Sequence, residues 1–340
     1  MSRNRYFIFS ALFSSIWREK PVKSVYFIES ERDYLEGEIR TKRKNKKYKL
    51  KPMPLIPKIV RIQTINTCNA RCVFCPAGEI NNLNPLRKMD FNLFKKIVDE
   101  CFQIEVGRII PYFQNEPLCD NELERKLYYI TKKRGSDLRP KMHLNTNAGL
   151  LTGERSRRLI DSKLDELRVS INSLREEVYE SVMPPLKLKK VINNVETLIT
   201  LREKLKSKTP SVKVIVVRTV ENKDEIESMQ KFWSDRGIQI DIRRLNNRGK
   251  SRIKETGLNP NPWHLREYCR NPFVHLNVLS NGDVNLCCVD YERKHIVGNL
   301  GESSLKEIWH GKEFNRLRSK YLRKEWDGLL CATCEITSLK

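Results

Sequence analysis

Three cysteines lie close together in the segment CNARCVFC, at Cys68, Cys72 and Cys75. Their thiolates can converge on one metal centre without help from a distant part of the chain. A structural zinc site takes four ligands, and a [4Fe–4S] cluster also usually takes four. Three thiolates therefore predict a centre with one position open to a non-protein group. The odd number of cysteines makes a set of disulfides the weaker alternative.

A second group of cysteines lies near the C-terminus and comprises Cys269, Cys287, Cys331 and Cys334. Cys287 ends a Gly-x4-Cys pattern that starts at Gly282, and the last two form a C-x2-C pair. Four thiolates would close a cluster, although zinc fits a C-x2-C pair equally well. Cys288 could replace Cys287, but adjacent residues of a strand point to opposite faces. The glycine spacing therefore favours Cys287 as the ligand.

Two other cysteines belong to neither group. Cys101 lies on the apolar face of a predicted helix, so we expect it in the core. Cys119 follows closely after Glu116 and Pro117, and the sequence assigns it no role.

Strands and helices alternate from residue 59 onwards, which predicts a parallel sheet covered by helices. An active site of such a fold lies at the carboxyl ends of the strands, where Cys68 follows the first one. The predicted strands are Ile59–Ile65, Arg108–Phe113, Lys141–Asn145, Leu167–Ile171, Val212–Val220 and Gly237–Arg244. The predicted helices are Phe91–Phe102, Glu122–Lys133, Gly153–Ser162, Lys187–Leu205 and Lys223–Arg236.

The pattern divides the chain into four parts: an N-terminal extension (residues 1–57), a β/α region (58–245), a linker (246–268) and a C-terminal unit (269–340). The linker is rich in Asn, Gly and Pro. In the C-terminal unit, Phe273–Leu279 and Val284–Cys287 flank an Asn-Gly turn and predict a hairpin. Ser304–Tyr321 is predicted to be helical.

The N-terminal extension pairs an apolar segment, Tyr6–Trp17, with a basic one, Arg40–Lys51, in which eight of twelve residues are Lys or Arg. A short apolar helix beside a basic run is typical of attachment to an anionic membrane surface. The alternatives are a helix docked on the main domain, a solvated basic segment, and RNA binding.

The composition gives a formal net charge of +23 from 65 basic and 42 acidic residues over 340 positions. This charge favours anionic partners such as phosphates, nucleic acid or a lipid surface. Hydrophobic residues make up 39% of the chain, which is enough for a large core. No run is long enough to span a bilayer as a helix, so an ordinary integral membrane protein is excluded.

The CNARCVFC loop after the first strand, with Phe74 before the third cysteine, resembles the signature of the radical S-adenosylmethionine (radical SAM) enzymes. The resemblance implies that Cys68, Cys72 and Cys75 hold a [4Fe–4S] cluster whose fourth iron binds SAM. It implies that one electron from this cluster cleaves SAM to a 5′-deoxyadenosyl radical, which abstracts a hydrogen atom from the substrate. It also implies an α/β fold, a partial (β/α)6 TIM-like barrel, and a reductant such as flavodoxin or ferredoxin.

Further segments resemble the SAM-binding turns of this family. Gln114, Asn115, Glu116 and Pro117 resemble its G-G-E-P turn, with Gln-Asn in place of Gly-Gly, and Glu116 is expected to help receive the SAM ammonium group. The segment Asn145–Ala148, with Asn147 at its centre, resembles the T-N-G turn. Ser170 and Asn172 resemble the S-x-D/N pattern near the SAM carboxylate and ribose. Arg218 is expected to point towards the same mouth of the barrel.

The C-terminal segments NGDVNLCCVD and VGNLGESSLKEIW resemble the SPASM domain that follows the barrel in many radical SAM enzymes. There are too few cysteines for the two auxiliary clusters of the full domain. The resemblance therefore implies a shortened form, a small iron–sulfur domain with one auxiliary [4Fe–4S] cluster held by Cys269, Cys287, Cys331 and Cys334. Thiolate-held clusters fit a reducing cytoplasm.

Three functions remain open at this point. The first is a radical SAM oxidoreductase that acts on a small polar molecule such as a sugar or related metabolite. The second is a maturase that modifies a ribosomally made peptide, and the third is a zinc-stabilised nucleic-acid-binding protein without enzymatic activity. Asp290 and Arg218 are candidates for acid–base or charge-pairing roles, with ordinary surface charge as the alternative. The substrate is not identified by the sequence.

Overall fold

The computed structural model describes residues 54–80, 85–136, 138–245 and 269–334. The apolar segment Tyr6–Trp17, the basic segment Arg40–Lys51 and the linker 246–268 lie outside the described residues. Residues 56–340 form one compact unit.

Within the described residues, nine strands form one sheet in the order β6-β5-β4-β3-β2-β1-β7-β8-β9. The strands are β1 (Ile59–Ile62), β2 (Arg108–Ile110), β3 (Lys141–Thr146), β4 (Glu166–Ser170), β5 (Ser211–Arg218), β6 (Gln239–Arg244), β7 (His275–Val278), β8 (Asp283–Asn285) and β9 (Ile296–Asn299). Strands β1 to β7 are parallel to their neighbours, and β7-β8-β9 is an antiparallel extension.

The described helices are α1 (Ala77–Ile80), α2 (Phe91–Gln103), α3 (Leu123–Arg134), α4 (Gly153–Asp161), α5 (Glu176–Val182), α6 (Leu188–Lys204), α7 (Ile226–Ser234), α8 (Asn271–Val274), α9 (Leu305–His310) and α10 (Lys312–Leu322). Local capping fixes several of their starts. Asp90 accepts hydrogen bonds from two amides at the start of α2, and Thr152 caps α4. A full capping box of Ser304 and Glu307 begins α9.

The six predicted strands and five predicted helices of the β/α region are all present, with boundaries that differ by a few residues. The first strand ends at Ile62, and Ile65 makes only an isolated bridge to Lys88. The single predicted helix Ser304–Tyr321 is two helices, α9 and α10. The break lies at Gly311, whose extended ψ of 153° ends one helix and caps the next.

The C-terminal hairpin continues the barrel sheet, which the sequence did not predict. Strand β7 pairs in parallel with β1, with Ile62 opposite Val278. Beyond the strands, the backbone N–H of Gln63 donates to the carbonyl of Val278 at 2.8 Å. The turn between β7 and β8 contains Gly282, whose φ of 91° favours glycine.

The two faces of the parallel strands differ in chemistry. On one face the side chains are apolar and almost fully buried, as at Val60, Leu144, Leu167 and Val214. This is the face that the connecting helices cover in a β/α fold. The alternate residues, which share the other face by register, are mostly polar or charged. We call this second face the inner face.

Candidate active site

The loop after β1 carries the first group of thiols, and all three are free. The Ala70 N–H lies 3.4 Å from the Cys68 sulfur, and the Cys75 N–H donates to the Cys72 carbonyl at 2.9 Å. Burial, and secondarily the Glu116 carboxylate, raises the pKa of Cys68 to about 12. Burial and then the neighbouring thiols raise the pKa of Cys72 as well. Three such sulfurs close together are a donor set that fits a cationic iron–sulfur centre.

The loop is anchored to α5 and to the segment that follows it. The Arg71 N–H donates to the Pro184 carbonyl at 2.7 Å, and the Val73 N–H donates to the Val182 carbonyl at 3.0 Å. Phe74 is buried at 6% exposure. Tyr179 on α5 is fully buried, its hydroxyl lacks a hydrogen-bond partner, and it lies near Cys72. The sequence analysis missed Tyr179 because α5 was not predicted.

Glu116 joins the turns after β2 and β3. Its Oε1 accepts hydrogen bonds from the Thr146 hydroxyl at 2.7 Å and from the Leu118 N–H at 3.1 Å. Its Oε2 accepts one from the Asn147 N–H at 2.7 Å. The side chain is buried, and this burial raises the pKa of Glu116 to about 7. Glu116 therefore holds the two turns together, and its contact with the SAM ammonium group stays a prediction.

Asn147 extends this network to the cysteine loop. Its Nδ2 donates to the Asn69 side-chain oxygen at 2.8 Å and lies 3.9 Å from the Cys68 sulfur. Its Oδ1 accepts from the Gly149 N–H at 2.9 Å. The predicted residues Cys68, Glu116 and Asn147 are thus brought together at the carboxyl ends of β1, β2 and β3.

The turn Gln114–Pro117 has Gln and Asn where the family motif has two glycines, and the backbone at Gln114 keeps a conformation typical of glycine. Gln114 has φ of 52°, in the left-handed region that favours glycine. Asn115 Oδ1 accepts from the Phe113 N–H at 2.8 Å, whereas its buried Nδ2 has no protein partner. A buried unpaired donor is suited to an oxygen of a bound molecule. Pro117 starts a short 3-10 turn that ends at Cys119.

Cys119 lies close to the first group of thiols. Its sulfur accepts a hydrogen bond from the Asn69 N–H. The next residue, Ala70, has the N–H that faces the Cys68 sulfur. Burial raises the pKa of Cys119 to about 11. Cys101 is fully buried on α2, as predicted.

Asn172 and Ser170 lie at the end of β4, but Asn172 is engaged by protein groups. Its Oδ1 accepts from the Val217 N–H at 2.8 Å, and its backbone carbonyl accepts from Asn222 at 2.6 Å. Ser170 is on the inner face by register. Arg218 ends β5 opposite Arg244, which puts it on the face of Val214, away from the inner face. This register does not support the expected direction of Arg218 towards the barrel mouth.

The second group of thiols comes from three parts of the chain: the residues before α8, the loop after β8 and the C-terminal turn. Cys269 is buried near Cys334, Cys288 and Cys331, and its N–H donates to the Tyr321 hydroxyl at 2.7 Å. The Cys334 N–H donates to the Cys331 carbonyl at 3.4 Å, and burial, followed by Cys334, raises the pKa of Cys331 to about 12. Cys287 faces both Cys288 and Cys269.

The expectation that Cys288 points away from Cys287 is wrong. Strand β8 ends at Asn285, after a register shift between Val284 and Asn285, so strand alternation does not reach the two cysteines. The Cys287 and Cys288 thiols are hydrogen-bonded to each other. Five thiols rather than four therefore surround this site.

Asp290 is engaged by backbone groups of its own loop. It is fully buried, and its two carboxylate oxygens accept the Lys294 N–H at 3.0 Å and the His295 N–H at 2.9 Å. Burial raises the pKa of Asp290. These contacts assign it to the turn that leads into β9.

Two contacts connect the loops that carry the two thiol groups, and the sequence predicted neither of them. Gln114 Nε2 donates to the Cys288 carbonyl at 3.1 Å, which ties the turn after β2 to the loop after β8. Tyr291, from the same loop, packs with Ala77 and Ile80 of α1 against Cys75. In the described part of the chain, no three His, Cys, Asp or Glu side chains form a group that could hold a single metal ion. A [4Fe–4S] cluster does not require such a group, because each thiolate binds a different iron atom.

A family model described as the radical SAM superfamily matches residues 62–232, half of the chain. The chain belongs to the radical SAM superfamily. A second model, SPASM, described as an iron–sulfur cluster-binding domain, matches residues 269–335. This radical SAM protein therefore uses a SAM-binding [4Fe–4S] cluster, an auxiliary [4Fe–4S] cluster and SAM. Membership of an enzyme family rules out the zinc-stabilised, non-enzymatic alternative.

Relatives with named activities are distant in sequence. An S-adenosyl-L-methionine-dependent 2-deoxy-scyllo-inosamine dehydrogenase of Niallia circulans is 21% identical over 83% of this chain and 94% of its own length. A GTP 3′,8-cyclase of Aquifex aeolicus is 27% identical over 54% of this chain. This radical SAM chain spans about half the length of that cyclase (55%).

Solved structures show the same fold. BtrN in complex with AdoMet and 2-DOIA has a TM-score of 0.54 and 20% identity, over 84% of this chain and 96% of that one. SuiB of Streptococcus suis bound to the precursor peptide SuiA has a TM-score of 0.64 and 15% identity, over 84% and 71%. These matches, with the parallel sheet above, establish the partial barrel with its small C-terminal hairpin and helices.

Proposed function

We propose that this radical SAM enzyme is an oxidoreductase that abstracts hydrogen from a small polar substrate, a sugar or a related metabolite. The observation that carries the proposal is the match to the 2-deoxy-scyllo-inosamine dehydrogenase, which extends over 94% of that enzyme. The match covers 83% of this chain.

In this proposal Cys68, Cys72 and Cys75 hold the SAM-binding cluster. Their sulfurs lie on one loop, and backbone and side-chain N–H groups of Ala70 and Asn147 face the Cys68 sulfur. When bound, the cluster and SAM supply the 5′-deoxyadenosyl radical. Cys269, Cys287, Cys331 and Cys334 would hold the auxiliary cluster, which would supply an electron acceptor for a net two-electron oxidation of the substrate.

The remaining predicted residues position these groups. Glu116 and Asn147 fix the turns on either side of the Cys68 loop, and Pro117 starts the short turn beside them. Asn115 Nδ2 offers a buried donor to an oxygen atom of SAM. Ser170 lies on the inner face, where SAM or the substrate can reach it, and Asn172 holds the ends of β4 and β5 together. Phe74 is the buried aromatic residue of this loop.

The second candidate is modification of a ribosomally made peptide. SuiB, which resembles this chain in fold, is bound to its precursor peptide in the solved complex. The match leaves 29% of SuiB outside this chain, since 71% of it is covered. The two candidates differ in substrate but share the two clusters and the reductant, for which flavodoxin or ferredoxin are candidates.

The cluster assignment is tested on protein reconstituted anaerobically with iron and sulfide. Wild type should hold about eight irons, four per cluster, and release 5′-deoxyadenosine from SAM under reduction. The triple variant Cys68→Ala, Cys72→Ala, Cys75→Ala should keep about four irons and release none. The matched control, Cys101→Ala, removes a buried thiol away from both groups and should keep all eight irons and the cleavage. Reductive SAM cleavage by the triple variant would refute the assignment.

Product analysis separates the two candidates. A panel of aminocyclitols, sugars and nucleotide sugars is compared with short peptides, and each is scored by a change of two hydrogen masses together with 5′-deoxyadenosine release. Oxidation of a member of the first group alone supports the oxidoreductase. A modified peptide with no turnover of the first group would replace it.

We also propose that the extension 1–57 attaches the enzyme to an anionic membrane surface. Tyr6–Trp17 supplies apolar side chains, and Arg40–Lys51 supplies basic ones, each worth about 1 kcal/mol near such a surface. No described helix is long and apolar enough to cross a bilayer. The full chain should float with anionic but not neutral liposomes at low salt and be released by high salt. A chain that remains unbound to anionic liposomes at low salt would refute this.

A further inference from the structure

Two polar side chains of β3 occupy positions that are normally apolar in a barrel. His143 and Asn145 alternate with Leu144, which is fully buried on the opposite face of the sheet. Both polar residues therefore lie on the inner face. TIM barrels normally fill this space with branched aliphatic side chains. Polar groups in such a place need hydrogen-bond partners, either from the protein or from a bound molecule.

The protein leaves one buried atom of each side chain without a partner. His143 Nδ1 and Asn145 Oδ1 are both buried, and neither has a hydrogen-bond partner among the described residues. The neighbouring residues of β4 are engaged with each other. Glu166, opposite His143, accepts from the Nε of Arg168, which lies opposite Asn145. A buried polar atom without a partner costs free energy. Two such atoms on one face therefore indicate a place where a molecule with hydrogen-bonding groups binds.

The two residues lie on a line that leads to the first group of thiols. Asn145 is two positions after His143, and two residues of a strand extend about 6.6 Å. Asn147, two positions further on, donates to the Asn69 side chain and lies 3.9 Å from the Cys68 sulfur. A small molecule held by His143 and Asn145 therefore extends along β3 towards the cysteine loop.

The electrostatic surroundings of His143 disfavour a cationic ligand. The residue is 7% exposed, and burial, followed by Arg168, Arg108 and two further arginines, lowers the pKa of His143 well below its usual value. The ring is therefore neutral at neutral pH. Surroundings that keep a proton off this ring also disfavour an ammonium group placed beside it.

An ionised oxyanion does not complete the site either. Its oxygens only accept hydrogen bonds, whereas Asn145 Oδ1 needs a donor. A hydroxyl group both donates and accepts, so it can serve Asn145 Oδ1 and either neutral tautomer of His143. It also fits an Asn145 amide that is turned round, because it can then accept from the NH2 group. Hydroxyl groups therefore match both side chains without adding charge.

We infer that His143 and Asn145 bind hydroxyl groups of an uncharged polyol and select it over phosphorylated and amino-bearing forms. One hydroxyl donates to Asn145 Oδ1, and a second forms a hydrogen bond with His143 Nδ1. The inference rests on the proposed function and narrows its substrate to a neutral sugar or cyclitol. Both residues bind and orient the substrate.

The experiment measures binding by calorimetry to the anaerobically reconstituted enzyme with saturating SAM. The probes are the neutral polyols myo-inositol and glucose, their monophosphates, and glucosamine. At least one neutral polyol should bind about tenfold more tightly than its charged forms, the order of one hydrogen bond lost in a buried site. Equal or tighter binding of the charged forms, or no binding of either neutral polyol, would overturn the inference.

Variants then assign the binding to the two side chains. Asn145→Leu and His143→Leu remove the polar atoms, and each should weaken binding of the neutral polyol about tenfold. Asn193→Leu is the matched control, because Asn193 is exposed on α6. It should bind the polyol as wild type does. Wild-type affinity in both inner-face variants would contradict the assignment.

Thermal unfolding without polyol distinguishes a ligand site from a structural role. Neither buried atom has a protein partner in the described structure, so an apolar side chain in its place breaks no hydrogen bond of these atoms. The melting temperature should therefore stay the same or rise while polyol affinity falls. If Asn145→Leu fails to fold, Asn145→Val takes its place. A lower melting temperature with unchanged affinity would assign the side chains to the fold and reject the site.

Release of 5′-deoxyadenosine is measured on the same preparations. SAM cleavage by a wild type that binds neither neutral polyol rejects this inference alone. Absence of SAM cleavage in wild type rejects the proposed function.

Discussion

Glu116→Gln tests the network that holds the turns after β2 and β3. The carboxylate accepts hydrogen bonds from the Thr146 hydroxyl, the Leu118 N–H and the Asn147 N–H. Glutamine has the same shape but replaces one acceptor oxygen by an NH2 group. In either orientation of the amide, that NH2 group faces at least one backbone N–H that now has no acceptor.

The expected cost follows from the number and type of these bonds. A hydrogen bond to a charged group contributes roughly 1.5–3 kcal/mol, and a buried donor left unpaired costs roughly 1–3 kcal/mol. We therefore expect Glu116→Gln to lower the free energy of unfolding by about 2–3 kcal/mol. Glu116→Ala leaves all three donors unpaired and should cost more. The Asn147 side chain should then lose its fixed position beside Cys68.

The assay is denaturant unfolding of the reduced apoprotein, followed by SAM titration of the reconstituted enzyme. The control is Glu154→Gln on α4, whose side chain is 72% exposed and pairs with Arg158 one turn away. Such a surface pair contributes only about 0.3–0.5 kcal/mol. Weaker SAM binding with unchanged iron content should accompany the loss of stability in Glu116→Gln. A change no larger than that of the control would refute the clamp assigned to Glu116.

Three further predictions follow from the described contacts. Cys331→Ala with Cys334→Ala should lose about four irons and the substrate product while SAM cleavage continues; a normal product yield would leave the auxiliary cluster a structural role. Burial lowers the pKa of His275 well below 6.5, so the ring is neutral in the folded protein. The stability that this neutral ring contributes is therefore present above the unfolded pKa of 6.5. It is lost as the pH falls below that value, by up to about 1.4 kcal/mol per pH unit. His275→Gln, which does not titrate, should show a shallower loss in urea unfolding between about pH 7.5 and 5.5, and equal slopes would contradict this. Gln114→Gly removes the hydrogen bond to the Cys288 carbonyl. It should alter the electron paramagnetic resonance spectrum of the auxiliary cluster and leave SAM cleavage in place. An unchanged spectrum would show that this hydrogen bond does not influence the cluster.

The sequence was informative where the signal is local. Strand periodicity predicted β1 to β6, and the capping of α2 by Asp90 agrees with its predicted start. The cysteine spacing selected the two thiol groups that the fold brings to their loops. These features depend on neighbours along the chain, which the sequence shows directly.

The features that the sequence did not predict depend on pairing between residues that are far apart along the chain. The parallel pairing of β7 with β1 joins residues more than two hundred positions apart, and no local pattern specifies it. The position of Cys288 depended on where β8 ends, and β8 ends early because of a register irregularity at Asn285. Cys287 and Cys288 lie beyond this strand, so the alternation of side chains between two faces does not apply to them. The polar inner face could have been predicted, because alternation in segments such as Lys141–Thr146 separates polar from apolar positions.

The β1–β7 pairing also joins the two parts of the chain that carry the thiol groups. Cys68 lies in the loop that leaves β1, and Cys287 lies beyond the hairpin that leaves β7, with Ile62 opposite Val278 at the shared end. Strand β8 then runs back beside β7, with Asn285 opposite Asn277, and Cys287 follows two residues later. Gln114 and Tyr291 connect the loops that carry the two thiol groups. In the proposed oxidation, a substrate that lies between the two clusters would therefore occupy a space bounded by these loops.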